Sequence, residues 1–192
     1  MSCYQLNSKQ KPDNWLLRLT PLTLLTLLAV GAAGAAAARP PAGAVWRGVV
    51  SYVVDGDTVR VRPPDGGKPV SVRVEGIDAP EICQPGGAAS RDALKRRALG
   101  QTVEVQSRAH DDYGRTVARL VLNGEDLGGW MVTQGQAWSY RSGWHPGPYA
   151  AQQQLAEAAG RGVFVRGQPT APMDPRVFRK QHGSCRYAPG RS

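Results

Sequence analysis

Beyond residue 44 the apolar positions of the chain follow two different periods. Residues 45–54 carry the β-branched run Val49-Val50-Ser51-Tyr52-Val53-Val54 and read as a strand. In Thr58-Val59-Arg60-Val61-Arg62 and Val70-Ser71-Val72-Arg73-Val74 apolar and polar residues alternate, the mark of half-buried strands. Asp55-Gly56-Asp57 and Pro63-Pro64-Asp65-Gly66-Gly67 are turn signals, so the three strands form an antiparallel meander. The period then lengthens. Residues 88–99 set Ala89, Ala93, Leu94 and Ala98 on one face and turn Arg91, Lys95 and Arg96 outward, with Gly100 as the stop of a helix. Strands return at 103–105 and 117–122, ahead of an Asn123-Gly124 turn. Asp126 caps a short helix running to Gln134, and Pro148 opens a third helix that ends at Gly160. Tyr149, Leu155 and Ala156 of this third helix are assigned to the core. From Gln168 onward Pro, Arg and Gly dominate, which predicts an irregular tail.

The order is three strands, helix, two strands, helix, helix. It predicts an α+β, mainly β class: a five-stranded Greek-key OB-fold barrel with three α-helices. Residues 39–44 form a lead-in, residues 45–166 the domain, and residues 167–192 a basic tail.

The N-terminal residues have a different pattern. Lys9, Lys11 and Arg18 precede a long apolar run over 16–38, which ends in Ala35-Ala36-Ala37-Ala38 before Arg39-Pro40-Pro41. This is the layout of a secretory signal, with cleavage expected after Ala38. The alternative is an uncleaved anchor, since residues 19–38 are long enough to span a bilayer. The protein is therefore expected to be secreted or periplasmic, or else membrane-anchored by residues 16–38.

The chain has 192 residues, 24 Lys+Arg and 15 Asp+Glu, for a net charge of +9, and 19 of the bases are Arg. After cleavage 154 residues with net charge +7 remain. Apolar residues at 41% exclude a wholly disordered chain, a collagen-like repeat and a polytopic membrane protein. Guanidinium groups pair bidentately with phosphate, so the Arg excess points to a polyanionic partner. The exported chain retains Cys83 and Cys185. In an oxidising compartment such a pair is expected as a disulfide, worth about 4–5 kcal/mol by the chain-entropy account for so long a loop. The alternative is a metal site of Cys83, Cys185 and His182.

Four segments gather groups able to do chemistry: Asp55-Gly56-Asp57-Thr58, Arg73, Asp78-Ala79-Pro80-Glu81, and Asp111-Asp112-Tyr113-Gly114-Arg115. Each alone has a structural reading, as a hairpin turn, a solvated strand position or an Asx-turn. No EF-hand spacing follows Asp55. His110 beside Asp111 reads as a solvated turn residue, and Trp144-His145-Pro146 as a loop flanking a groove.

Together, in order and with Gln134-Gly135-x-Ala137 after them, these motifs resemble the staphylococcal nuclease (thermonuclease) family over about residues 45–165. The resemblance implies an OB barrel with three helices and calcium-dependent hydrolysis of DNA and/or RNA that leaves 3′-phosphates. It implies Asp57, Asp78 and the Ala79 backbone carbonyl as calcium ligands, with Asp55 supporting them from behind. Glu81 would orient or deprotonate the attacking water, and Arg73 and Arg115 would bind the phosphate. Tyr113 would contact substrate, while Trp138 and Tyr140 are candidates for base stacking. Two departures stand out. Ala79 replaces the usual Thr, which a carbonyl ligand tolerates. Asp112 replaces a Lys, which bears on one phosphate contact. A monomer without an obligate protein partner is expected. The rival functions are a catalytically weak nucleic-acid-binding OB module and an exported adhesive protein. The presence of Asp57, Arg73, Asp78, Glu81 and Arg115 favours the enzyme. N-terminal sequencing of the exported protein should begin at Arg39. A start upstream of residue 30 would contradict cleavage.

Overall fold

The computed structural model describes residues 40–167 and 172–185. The leader and anchor expected over 1–38 lie outside these residues, as do tail residues 168–171 and 186–192. In chain order the described elements are β1 (Val45–Val53), β2 (Thr58–Arg62), β3 (Val70–Val74), β4 (Ile77–Asp78), α1 (Gly87–Ala98), β5 (Thr102–His110) and β6 (Thr116–Leu122). There follow β7 (Glu125–Asp126), α2 (Leu127–Thr133), β8 (Trp138–Ser139), α3 (Ala150–Ala158) and α4 (Pro175–His182).

β1, β2 and β3 form the expected antiparallel meander. β1 pairs with β5 along its other edge, and β5 pairs with β6. A parallel pairing of β3 with β6, from Val72↔Thr116 to Val74↔Ala118, closes these five strands into a barrel. Closure needs curvature, and register shifts between Val50 and Tyr52 in β1 and between Ser107 and Ala109 in β5 supply it. Alternation then fills the interior. β6 buries Thr116, Ala118, Leu120 and Leu122 and turns the residues between them outward. Fully burying a Val or Leu side chain is worth about 1.5–3 kcal/mol, so the barrel core is the main source of stability.

The helices cover the barrel much as the apolar spacing implies. α1 buries Ala93, Leu94 and Ala98. Asp126 caps α2 by accepting the Gly128 N–H at 3.0 Å. Asn123 and Gly124 both take left-handed φ, +52° and +81°, as a two-residue hairpin turn requires. In α3 only Ala156 is buried, and Leu155 is 66% exposed, contrary to its assignment to the core. The helix rests on a small cluster of Trp138, Ala156, Val163 and Phe164. One residue along a helix is a turn of roughly 100°, which points Leu155 to solvent.

The tail also departs from expectation, because part of it is helical. Asp174 caps α4 by accepting the Arg176 N–H at 2.8 Å, Pro175 fits the first turn, and Gly183 ends the helix at φ +75°. Arg179, Lys180 and His182 lie in the last turn, where the helix dipole favours cations. These are ordinary start and stop signals inside a Pro/Arg/Gly-rich composition. Cys83 and Cys185 are bonded, with Cα atoms 5.9 Å apart. That agrees with the expected disulfide and excludes the Cys–His metal alternative.

Packing between the β1–β2 turn and α1 leaves no room at Gly56. A methyl there would lie 1.9 Å from Ser90 Oγ and 2.7 Å from Ala79 Cβ. Gly56→Ala should destabilise the protein by about 1–3 kcal/mol, as overpacking does elsewhere. Urea denaturation checks this, and an unchanged midpoint would contradict the close packing of this turn.

Candidate active site

The barrel brings the turn after β1, the face of β3, the segment from β4 to α1 and the β5–β6 turn to one region. The register does much of this. Thr58 pairs with Arg73 across β2 and β3, and the Val74 N–H donates to the Asp57 carbonyl at 2.8 Å. Asp57 thus comes to sit beneath Arg73. The short β4–β8 pair then holds Asp78 next to Trp138, in register with Ile77 and Ser139.

Arg73 lies between two buried acids. Its Nη1 forms an ion pair with Asp57 Oδ1, and its Nη2 lies 3.2 Å from Asp78 Oδ1 and 3.3 Å from the Ile77 carbonyl oxygen. The other Asp57 oxygen accepts the Ala79 N–H at 2.9 Å, and Thr58 Oγ1 donates to Oδ1 at 3.0 Å. Burial alone would raise the Asp57 pKa, but Arg73 and these hydrogen bonds outweigh it and hold it below the ordinary carboxylate value. Asp55 is the opposite case. It accepts the Asp57 N–H at 3.0 Å, but burial and the neighbouring Asp57 carboxylate push its pKa up to about 7.

Arg115 is fixed differently. Its Nε donates to Asp111 Oδ2 at 2.7 Å, and its backbone N–H donates to Asp111 Oδ1 at 2.8 Å. Its Nη1 reaches Thr58 Oγ1 at 3.2 Å. Thr58 therefore joins Arg115 to Asp57. Asp111 also accepts the Tyr113 N–H, and the Arg115 guanidinium lies 5.4 Å from the Tyr113 ring centre. Burial would raise the Asp111 pKa, but these donors lower it overall.

Glu81 stands beside Asp78, and a single guanidinium from the tail joins them. Arg179 Nη1 donates to Asp78 Oδ1 and to Glu81 Oε1, both at 3.1 Å, and Nη2 donates to Asp78 Oδ2 at 2.8 Å. The hydrogen bonds to Asp78 are the main reason that the Arg179 pKa rises above the ordinary guanidinium value.

Of the residues expected in the site, Asp55, Asp57, Arg73, Asp78, Ala79, Glu81 and Arg115 converge. Tyr113 is 84% exposed at the rim, and Tyr140 is 43% exposed with Arg176 4.9 Å over its ring. Trp138 does not join them. Its ring is buried edge-on to Phe164 at 5.2 Å, in the cluster under α3. Three participants carry no assignment from the sequence. Thr58 lies within a motif as the first residue of a strand, Asp111 lies in a turn, and Arg179 lies in a tail whose composition predicts irregular structure.

Among the described residues no group of three or more His, Cys, Asp or Glu side chains is arranged to hold an ion. The donor chemistry nonetheless fits a hard cation. The acids offer only oxygen, and Asp78 and Glu81 already converge on one positive group, Arg179 Nη1.

The sequence profile of the family described as "Staphylococcal nuclease homologue" matches residues 71–162. An "uncharacterized endonuclease" of Haemophilus influenzae is 32% identical over 132 residues, covering 69% of this chain and 72% of its own. "Protein ParB" of Escherichia coli is 33% identical, covering 76% of this chain and 86% of its own. A "micrococcal nuclease" of Shigella flexneri is 36% identical over 110 residues, covering 53% and 62%. The chain belongs to the staphylococcal nuclease family.

Asp111 accepts from three donors, two on Arg115 and the Tyr113 N–H, so its charge should matter to stability. Its lowered pKa means that this contribution is complete above the ordinary carboxylate value of 3.8 and fades as pH falls through the folded-state value. Asp111→Asn should lower Tm by a few degrees at pH 7, and the gap to the wild type should close in strong acid. A gap independent of pH would contradict the role of the charge.

Proposed function

We propose that this nuclease, a hydrolase of phosphodiester bonds, is an exported, calcium-dependent, monomeric enzyme acting on DNA and/or RNA and leaving 3′-phosphate ends. The observation that carries the reading is the knot of Asp57, Arg73 and Asp78, with Glu81 at one side and Arg115 at the other. It combines oxygen donors for a hard cation with two oriented guanidinium groups for a phosphate.

Asp57, Asp78 and the Ala79 carbonyl would hold the cation, with Asp55 behind Asp57. Bound calcium supplies charge neutralisation at the phosphate oxygens and polarises phosphorus toward attack. The chain's own residues do the rest. Arg73 and Arg115 bind the phosphate and stay in position as negative charge develops on it, so little reorganisation is needed during the reaction. Glu81 accepts a hydrogen bond from the attacking water and orients it. The water oxygen bonds to phosphorus and releases one proton to solvent, the bond to the 5′ oxygen breaks, and that oxygen takes one proton from solvent to leave as a hydroxyl, so that the protons balance. Tyr113 and Tyr140, exposed at the rim, offer faces to the nucleotide.

Two features support export. The leader pattern of residues 1–38 has the order of a secretory signal. The Cys83–Cys185 bridge suits an oxidising compartment. A binding module without turnover is the second reading, and the occupation of Asp78 and Glu81 by Arg179 is the observation in its favour.

The mature protein should digest nucleic acid in calcium, stop in chelator, and yield ends that a 3′-phosphatase can open for extension. Arg115→Ala should lose roughly 10²–10³-fold in kcat with its fold intact. Mobility-shift binding without cleavage in calcium would favour the binding module. Full activity in chelator would overturn the metal assignment.

A further inference from the structure

α4 is held across the cation side of the site at both ends. At its start, Met173 offers its carbonyl to the buried Gln84 Nε2 at 2.6 Å, and Pro175 is buried. Arg176 lies over Tyr140 and donates to the Arg141 carbonyl, and Asp174 faces Arg141 at 3.9 Å. At its far end, Cys185 is bonded to Cys83, two residues from Glu81, and the Cys83 N–H points at its sulfur at 3.0 Å. Between these anchors Arg179 reaches down to both carboxylates.

This arrangement has a chemical consequence. Arg179 takes one contact with each Asp78 oxygen and one with Glu81. Those are the lone pairs that a divalent cation and an oriented water need. Arg73 uses Asp78 as well, but it leaves Glu81 alone. A guanidinium and a divalent cation cannot both lie against Asp78 Oδ1 and Oδ2 without strong like-charge repulsion.

We propose that α4 is a built-in competitor for the cation: Arg179 occupies the Asp78 and Glu81 carboxylates, and the Cys83–Cys185 bridge keeps it there until a divalent cation displaces it. The proposal rests on the metal reading given above. The tether matters because an intramolecular ligand competes at an effective concentration set by how tightly it is held. A cation that binds only the form with Arg179 withdrawn has its apparent affinity reduced by the fraction of that form. The site then stays silent in low calcium and loads where calcium is abundant, and reduction of the bridge lowers its threshold. The bridge thereby contributes more than stability, because it sets the cation range over which the enzyme works.

Calcium titration of the mature protein by calorimetry tests this without reference to activity. Arg179→Gln should bind calcium about tenfold more tightly than the wild type, the gain expected if Arg179 holds the site about nine-tenths of the time. Lys180→Gln removes the same charge from an exposed neighbour on α4 and should change little. The Cys83→Ser, Cys185→Ser double variant keeps every charge and frees the end of α4, so it too should bind more tightly. Equal affinity in Arg179→Gln and wild type overturns the competitor. So does a gain that Lys180→Gln reproduces, since that would be general charge alone. Unchanged affinity in the folded double-serine variant overturns the tether. No calcium binding by wild type or Arg179→Gln would instead overturn the metal reading, and the competitor with it.

Discussion

The ion pairs of Arg73 with Asp57 and Asp78 are the constraint around which the rest of this structure is arranged. All three side chains are largely withdrawn from water. Buried charges are tolerated only when paired and hydrogen-bonded, and removing one partner from such a set costs about 3–5 kcal/mol. The barrel satisfies that condition from several directions. The β2–β3 register sets Thr58 opposite Arg73, the Ala79 N–H donates to the second Asp57 oxygen, and the Ile77 carbonyl accepts from Arg73 Nη2. The arrangement makes poor use of burial as a source of stability. It holds two acids close together around one guanidinium in a protein of net charge +9.

That concentration of acids explains why so many arginines point inward. Arg73 answers Asp57, Arg115 answers Asp111, and Arg179 answers Asp78 with Glu81. Each pairing orients a guanidinium, and each is also a pairing that a phosphate or a cation would compete for. Arg115 is held by Asp111 of its own loop and by Thr58 at the start of β2. Arg179 comes from outside the barrel, on a helix whose position depends on the disulfide and on contacts with Gln84 and Tyr140. On the proposed reading, Arg73 and Arg115 serve the substrate and Arg179 restrains the cation site.

Much of this was legible in the sequence. Period-two alternation marks β1, β2, β3 and β6 to within a residue, because each buries one face, but the strand expected over 103–105 runs on to His110, where Arg108, Ala109 and His110 are exposed and no alternation marks them. The ordered motifs contain Asp55, Asp57, Arg73, Asp78, Glu81 and Arg115, which the fold brings together, but not Arg179. The failures have physical causes. β4 and β8 are two residues long, and so short a pairing carries no periodicity. Trp138 looked like a stacking aromatic because it follows the Gln134-Gly135 motif, but the β4–β8 pairing turns it toward Phe164. α4 was hidden because its composition resembles a disordered tail, although Asp174-Pro175 and Gly183 are sound cap signals. Its link to the site spans 101 residues between Asp78 and Arg179, and no local pattern reports a contact of that separation.

The central claim is that the acids of this site are shared between the chain's own arginines and a cation. The most direct measurement is to follow the arginine Nε–Hε resonances by NMR during calcium titration of the folded mature protein. The account predicts that the Arg179 and Arg73 signals move as calcium saturates, while Arg115, tied to Asp111, stays where it is. Calcium binding that leaves the Arg73 and Arg179 signals unmoved would contradict it.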